Sequence, residues 1–256
     1  MAGDRRRFVL FGAVLAAAAL TVVACSGEEA ADTSGTTVPA TQPTLPTTST
    51  APIEDRLDIE VVQTGVTQMP ATGGLPDTAT YAVVIRNPNE AWTAAPVLLS
   101  VEFYNADGAV VGTDNQRVPV VLPGFPAAAA NTMAMAGVER MEVKALVDTW
   151  WPANPDKVWG TLAATDVVFS PPEQSPARVT GQITSTWSQN MKNLRLVSVQ
   201  FDEGGAIVGG DTSSMAFVEK EGTGAFSIVK PHPLPPSVTR VEVVASPSSL
   251  QSTLGG

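Results

Sequence analysis

The chain repeats itself, and the repeat is written in strands. Ala82 to Phe103 aligns with Thr180 to Phe201 at a constant offset of 98 residues. Ile85 meets Ile183, Leu98 meets Leu196, Ser100-Val101 meets Ser198-Val199, and Phe103 meets Phe201. After a one-residue gap, Gly108-Ala109-Val110-Val111-Gly112 meets Gly205-Ala206-Ile207-Val208-Gly209. A second block, Val138 to Ala145, matches Val238 to Ala245 at an offset of 100. Duplicated order, polarity and spacing constrain the chain to two copies of one unit.

Within each copy apolar residues alternate with polar or small ones, the period of a β-strand. Tyr81, Val83 and Ile85 share one face, as do Leu99, Val101 and Phe103, and Met141, Val143, Ala145 and Val147. The expected inward sets of the second copy are Val179, Gly181 and Ile183; Val197, Val199 and Phe201; and Val241, Val243 and Ala245. Leu98 and Leu196 fall off this pattern and are read as outward apolar contacts. Asn105-Ala106-Asp107-Gly108 and Asp202-Glu203-Gly204-Gly205 carry hairpin-turn chemistry, with Gly available for positive φ. No helix is expected beyond the leader, because proline-rich punctuation such as Ser170-Pro171-Pro172 and Pro231-His232-Pro233 interrupts the chain. The fold class is therefore all-β: two tandem immunoglobulin-like β-sandwiches over residues 57–149 and 162–248. A Trp-rich linker (150–161) separates them and a short tail (249–256) follows. The single cysteine leaves no internal disulfide, so buried apolar area must hold the body together.

Val101-Glu102-Phe103-Tyr104-Asn105-Ala106-Asp107-Gly108-Ala109-Val110-Val111 resembles the strand–turn–strand core of the FxLYD-type domains of bacterial exported proteins. Val199-Gln200-Phe201-Asp202-Glu203-Gly204-Gly205-Ala206-Ile207-Val208 is similar, without the Tyr. Asn105 stands where that family usually has Asp. The resemblance spans residues 57–149 and 162–246. It implies a fold and brings no catalytic residues with it.

The N-terminus reads as an address. Arg5, Arg6 and Arg7 precede an apolar run from Phe8 to Ala24, and Val22-Val23-Ala24-Cys25 ends it. This resembles the signal peptide (1–24) and lipobox of a bacterial lipoprotein. The resemblance implies that Cys25, the only cysteine, carries a diacylglyceryl group and becomes the mature N-terminus. Two acyl chains anchor a protein stably where one does not. Arg5-Arg6-Arg7-Phe8-Val9-Leu10 also resembles a twin-arginine export signal, although Asp4 and Phe11 depart from that pattern; an ordinary Sec leader remains open. The expected location is the outer face of the cytoplasmic membrane. From Ser26 to Pro52 the chain has eight Thr, four Pro and no aromatic residue. Such a stretch buries too little apolar surface to order itself, so residues 25–56 are expected to be a disordered tether below the lipidated cysteine. As a coil the 27 residues from Ser26 to Pro52 reach roughly 30 Å, and as polyproline II roughly 80 Å. Without residues 1–24 the net charge is −12, which disfavours nucleic acid as a partner.

The inventory for chemistry is thin. His232 is the only histidine and sits between two prolines; an exposed residue in an extended segment is expected there. Asn105, Asp107 and Asp114 lack the acidic positions and closing Glu of an EF-hand, and read as turn residues. Asp55, Asp58 and Glu60 read as a solvated strand edge. No metal site and no cofactor is expected, and the chain is not read as an enzyme. Trp92 and Trp187, each following the second strand of its copy, are the candidate binding residues. Trp150, Trp151 and Trp159 are expected to pack between the domains. The expected function is a non-catalytic, lipid-anchored envelope protein that presents two domains to a protein or envelope component. The alternative is a lipoprotein that binds a small ligand or carbohydrate through its loop tryptophans.

Overall fold

The computed structural model describes residues 56–154 and 159–250. The leader, Cys25 and the tether through Asp55 lie outside the described residues, as does the tail from Gln251.

Fourteen strands follow one another, with no helix among the described residues. The first copy holds β1 (Glu60–Met69), β2 (Thr78–Arg86), β3 (Trp92–Ala94), β4 (Val97–Tyr104), β5 (Val110–Val118), β6 (Pro126–Ala134), β7 (Arg140–Val147) and β8 (Trp150–Pro152). The second holds β9 (Leu162–Phe169), β10 (Ala177–Ser185), β11 (Met191–Phe201), β12 (Ile207–Val218), β13 (Thr223–Lys230) and β14 (Arg240–Pro247). Each copy is a sandwich of two three-stranded antiparallel sheets. The order β1-β2-β6 facing β5-β4-β7 is repeated as β9-β10-β13 facing β12-β11-β14. This is the A–B–E and C′–C–F connectivity of an immunoglobulin-like sandwich, without a seventh strand beside β7 or β14. In the first copy β3 pairs instead with β8, so Trp150–Pro152 belongs to that sandwich rather than to a linker.

The hairpin turns match atom for atom. Asn105 Oδ1 accepts from the Ala109 N–H at 2.8 Å, and Asp202 Oδ1 accepts from the Ala206 N–H at 2.8 Å. Gly108 and Gly205 close the turns at φ 78° and 79°, a conformation that glycine alone adopts at little cost. These equivalences fix the structural offset across the turn and its flanking strands at 97 residues. Phe201 therefore occupies the place of Tyr104, and Gln200 the place of Phe103. Arg140 lies 3.9 Å from the Tyr104 ring centroid, and Arg240 lies 4.0 Å from that of Phe201.

The one-residue difference reverses the expected faces of β11. Leu194 and Leu196 enter the core of the second sandwich, beside Val179, Ile183, Val241 and Val243. Val197, Val199 and Phe201 point away from it, into a separate apolar layer shared with the first copy. Leu196 is thus a core residue, whereas Leu98 is outward and 44% exposed. The first copy follows its expected faces: Tyr81, Val83, Ile85, Leu99, Val101 and Phe103 are fully buried in one core.

That shared layer joins the copies face to face. Sheet β1-β2-β6 lies between the rest of its own sandwich and sheet β12-β11-β14. β2 is consequently buried on both faces, and β6 follows it: Ala127 and Ala129 face the first core, and Ala128 and Ala130 face the second copy. Small side chains let the sheets approach closely. A Cβ at Gly65 would overlap the Ile207 carbonyl, and one at Gly210 would strike the Ser198 carbonyl and the methyls of Ala82 and Ala130. Polar ties cross the same seam. Thr212 Oγ1 donates to the Ala130 carbonyl at 2.8 Å, and Gln63 Nε2 to the Gly205 carbonyl at 2.9 Å.

Candidate functional site

The five tryptophans are divided between the two cores and their margins. Trp92 opens β3 and is half-buried, with the Arg56 guanidinium 5.2 Å from its ring centroid. The same guanidinium lies 5.7 Å from the Trp150 ring, so one cation serves two indoles. Trp150 packs on the first core, and Trp159 packs edge-on against Trp187, with centroids 5.8 Å apart, in the second. Trp151 is half-exposed. Alanine, valine, Phe201 and Ile207 fill the layer between the facing sheets, while Trp159 packs in a cluster to which both copies contribute, with Ala95, Val120 and Leu122 from the first. Trp187 is only 3% exposed and offers no free ring face for a sugar.

Trp187 nevertheless borders the feature that sequence reading missed. The segment between β5 and β6 leaves the first sandwich, and its Val120 and Leu122 enter the core of the second, with Phe125 packed against it. Beside them a cleft of about 300 Å³ opens toward the start of β9, the end of β14 and Trp187. Its lining is overwhelmingly apolar and includes no charged residue. The Trp187 Nε1–H has no hydrogen-bond partner among the described residues. The alternation of β14 hinted at one wall, but nothing local in the sequence says that a loop of one copy completes the core of the other.

Two polar clusters lie elsewhere. Asp114 on β5 accepts from Tyr81 Oη at 2.6 Å, Asn131 Nδ2 at 2.9 Å and Gln116 Nε2 at 2.9 Å, through one carboxylate oxygen. Burial pushes the Asp114 carboxyl up, but these donors and the Asn115 N–H outweigh it and hold it below the usual carboxylate value. Burial, and then the bond to Asp114, push the Tyr81 phenol well up. Asn105 and Asp107 stay in their turn, away from this network, as the turn reading expected. Inside the second copy Lys230 Nζ lies 2.7 Å from Asp211 Oδ2, with both side chains largely buried. Burial raises the Asp211 carboxyl, opposed by Lys230 and by the charge of nearby His232. His232 is half-buried rather than exposed. Glu60 pairs with Arg86 at 2.7 Å across β1 and β2, while Asp55 lies outside the described residues. Among the described residues no cluster of three or more His, Asp or Glu side chains is placed to hold a metal ion.

The outward face of β5-β4-β7 mixes apolar and charged side chains. Leu98 and Leu146 sit side by side across the β4–β7 ladder, 44% and 65% exposed. Further along, Tyr104, Glu102, Glu142 and Arg140 are tied together: Tyr104 donates to Glu102 at 2.6 Å, and Arg140 pairs with Glu142 at 2.5 Å.

Fold and geometry together define the class: a tandem β-sandwich protein whose two copies share one buried seam. No protein-family model matches the chain, and comparison with curated proteins finds no match either.

Proposed function

We propose that the chain is a non-catalytic, lipid-anchored protein of the bacterial cell envelope. Its two sandwiches act as one recognition body held outside the cytoplasmic membrane. The leader and Cys25 supply the anchor, and residues 26–52 supply the reach. Anchoring raises local concentration at the membrane, so a weak partner contact suffices. FxLYD-type character in both copies fits this reading, because that resemblance carries a scaffold and no reaction.

The observation that carries the reading is the position of the single cysteine, directly behind a basic and apolar leader. The outward sheet β5-β4-β7, with Leu98 and Leu146 exposed beside a network of charges, supports a protein or envelope component as the partner. In-cell crosslinking from a photoreactive residue placed at Leu98 tests the partner, with a stable adduct lost when Leu146→Asp is added as the expected result. Fractionation tests the anchor. Cys25→Ala should release the body from membranes under carbonate washing, and retention of that variant would contradict the proposal.

The carbohydrate alternative is weakened by the burial of Trp187 and by Arg56 over Trp92. A small apolar ligand is favoured by a different observation, the cleft itself.

A further inference from the structure

Thr212, which bonds across the seam to Ala130, also lines an open depression of about 750 Å³. The polar lining is Asn193, Arg195, Thr212, Ser213, Ser214 and Ser248, and no carboxylate is part of it. Ser214 lies directly opposite Arg195 in the β11–β12 register, so the two side chains share one face of the sheet. In a chain with 25 acidic and 15 basic residues, Arg195 forms no ion pair among the described residues. Its one side-chain bond runs from Nη2 to Thr212 Oγ1 at 3.3 Å. The neighbouring Asp114 is taken up by Tyr81, Asn131 and Gln116. Burial lowers the Arg195 pKa, as it does for a cation drawn out of water without a counter-ion. Pro119 and Ser248 also line the adjoining depression, which holds Arg117 and again no carboxylate.

We propose that this depression binds a singly charged phosphodiester group, held by Arg195 Nη1 and the hydroxyls of Ser214 and Ser248. The choice of group follows from which edge of the guanidinium is open. Nε is buried, and Nη2 is spent on Thr212. The Nε–Nη2 edge is therefore closed to the two parallel bonds with which arginine clamps a planar carboxylate. Nη1 is not among the buried, unpartnered nitrogens and makes no bond among the described residues, so it is the donor left to meet a ligand. A tetrahedral group suits this arrangement, because its separate oxygens accept from donors on separate segments of the chain. One guanidinium balances one charge, which favours a diester over a dianionic monoester. The acidity of the chain makes the attraction local, since diffuse charge would repel an anion from the rest of the surface. The site goes beyond the envelope-recognition reading and needs neither the anchor nor the Leu98–Leu146 pair.

The test uses the full chain, labelled with nitrogen-15 at arginine and held in a neutral detergent, with glycerophosphoglycerol as the probe. Phosphorus-31 line broadening of the probe reads affinity, and the Arg195 Nε–H resonance, assigned by its loss in Arg195→Lys, reads location. A saturable shift of that resonance is expected, with acetate needing about fivefold more to displace the probe and chloride at equal ionic strength not displacing it. Arg195→Gln should weaken binding about tenfold or more, the value of a charged hydrogen bond, and Ser214→Ala about fivefold. Arg178→Gln removes the same charge from another strand and should change nothing. Phosphatidylglycerol mixed into the micelle identifies the source. Binding much tighter than that of the free diester assigns the site to a lipid headgroup, and equal binding assigns it to a soluble or polymeric diester; either must be lost in Arg195→Gln. Should that variant fail to fold, the competition series and the Arg195 shift on the natural chain decide alone. Equal losses in Arg178→Gln and Arg195→Gln, displacement by acetate as effective as by the diester, or a shift that never saturates would overturn the proposal.

Discussion

Gln200 occupies the place that Phe103 holds in the first copy. Phe103 meets Tyr81 edge-on, with centroids 5.2 Å apart. Gln200 is fully buried, and neither of its amide atoms has a hydrogen-bond partner among the described residues. An unmet buried amide is destabilising by about 1–3 kcal/mol, and methionine matches its shape without that cost. Gln200→Met should therefore raise the thermal midpoint, corresponding to about 1 kcal/mol or more; a lower midpoint would show that a buried water satisfies the amide. The Asp211–Lys230 pair is a second such position. Removing one partner leaves a buried charge, so Asp211→Ala should cost about 3–5 kcal/mol, whereas Asp211→Leu with Lys230→Met should be neutral or stabilising. The sign with pH follows from the raised Asp211 carboxyl. Its contribution is most favourable below the ordinary carboxylate value and is lost as pH rises through the folded one. The advantage of the double variant over the natural chain, read by urea unfolding, should thus grow from pH 4 to pH 7.

At the scale of elements, β11 shows why face assignment by alternation has a limit. Alternation identifies a core when one face of a strand is wet. It did so for β4, where Leu98 is exposed and Leu99 buried, and for β10 and β14. β11 is buried on both faces, so Leu194 and Leu196 compete with Val197, Val199 and Phe201, and a 98-residue alignment chose the wrong set. The turns held the correct offset, because Asn105 and Asp202 bind their own backbones in the same way. The β6 run Ala127–Ala130 was silent for the same reason: uniform small residues mark a strand packed on both sides, and no period survives. Close approach of β12 to β2 makes a direct prediction. Gly210→Val should destabilise the molecule by about 1–3 kcal/mol or more, as overpacking does, seen as a shift in urea midpoint. An unchanged midpoint would mean that the seam yields.

At the scale of the whole molecule, the four three-stranded sheets form one body, joined by the alanine- and valine-rich seam and by the first-copy segment that packs beside Trp159 and Trp187. The all-β class, the duplication, the turns and most inward faces were legible in the sequence, because each is local or repeats. The seam, and the loop that completes the core of the other copy, were not legible, because they depend on contacts between residues far apart in sequence. Of the candidate site, the sequence singled out Trp187, but alternation and spacing did not show that its ring is buried in the core of the second copy. The central claim is that neither sandwich stands apart from the other. Equilibrium urea unfolding of the chain from Pro52 onward, followed together by far-ultraviolet circular dichroism and by fluorescence of Trp187 alone, with the other four tryptophans changed to Phe, tests it most directly. One transition with coincident midpoints is predicted; two separated transitions, with Trp187 reporting only one of them, would contradict it.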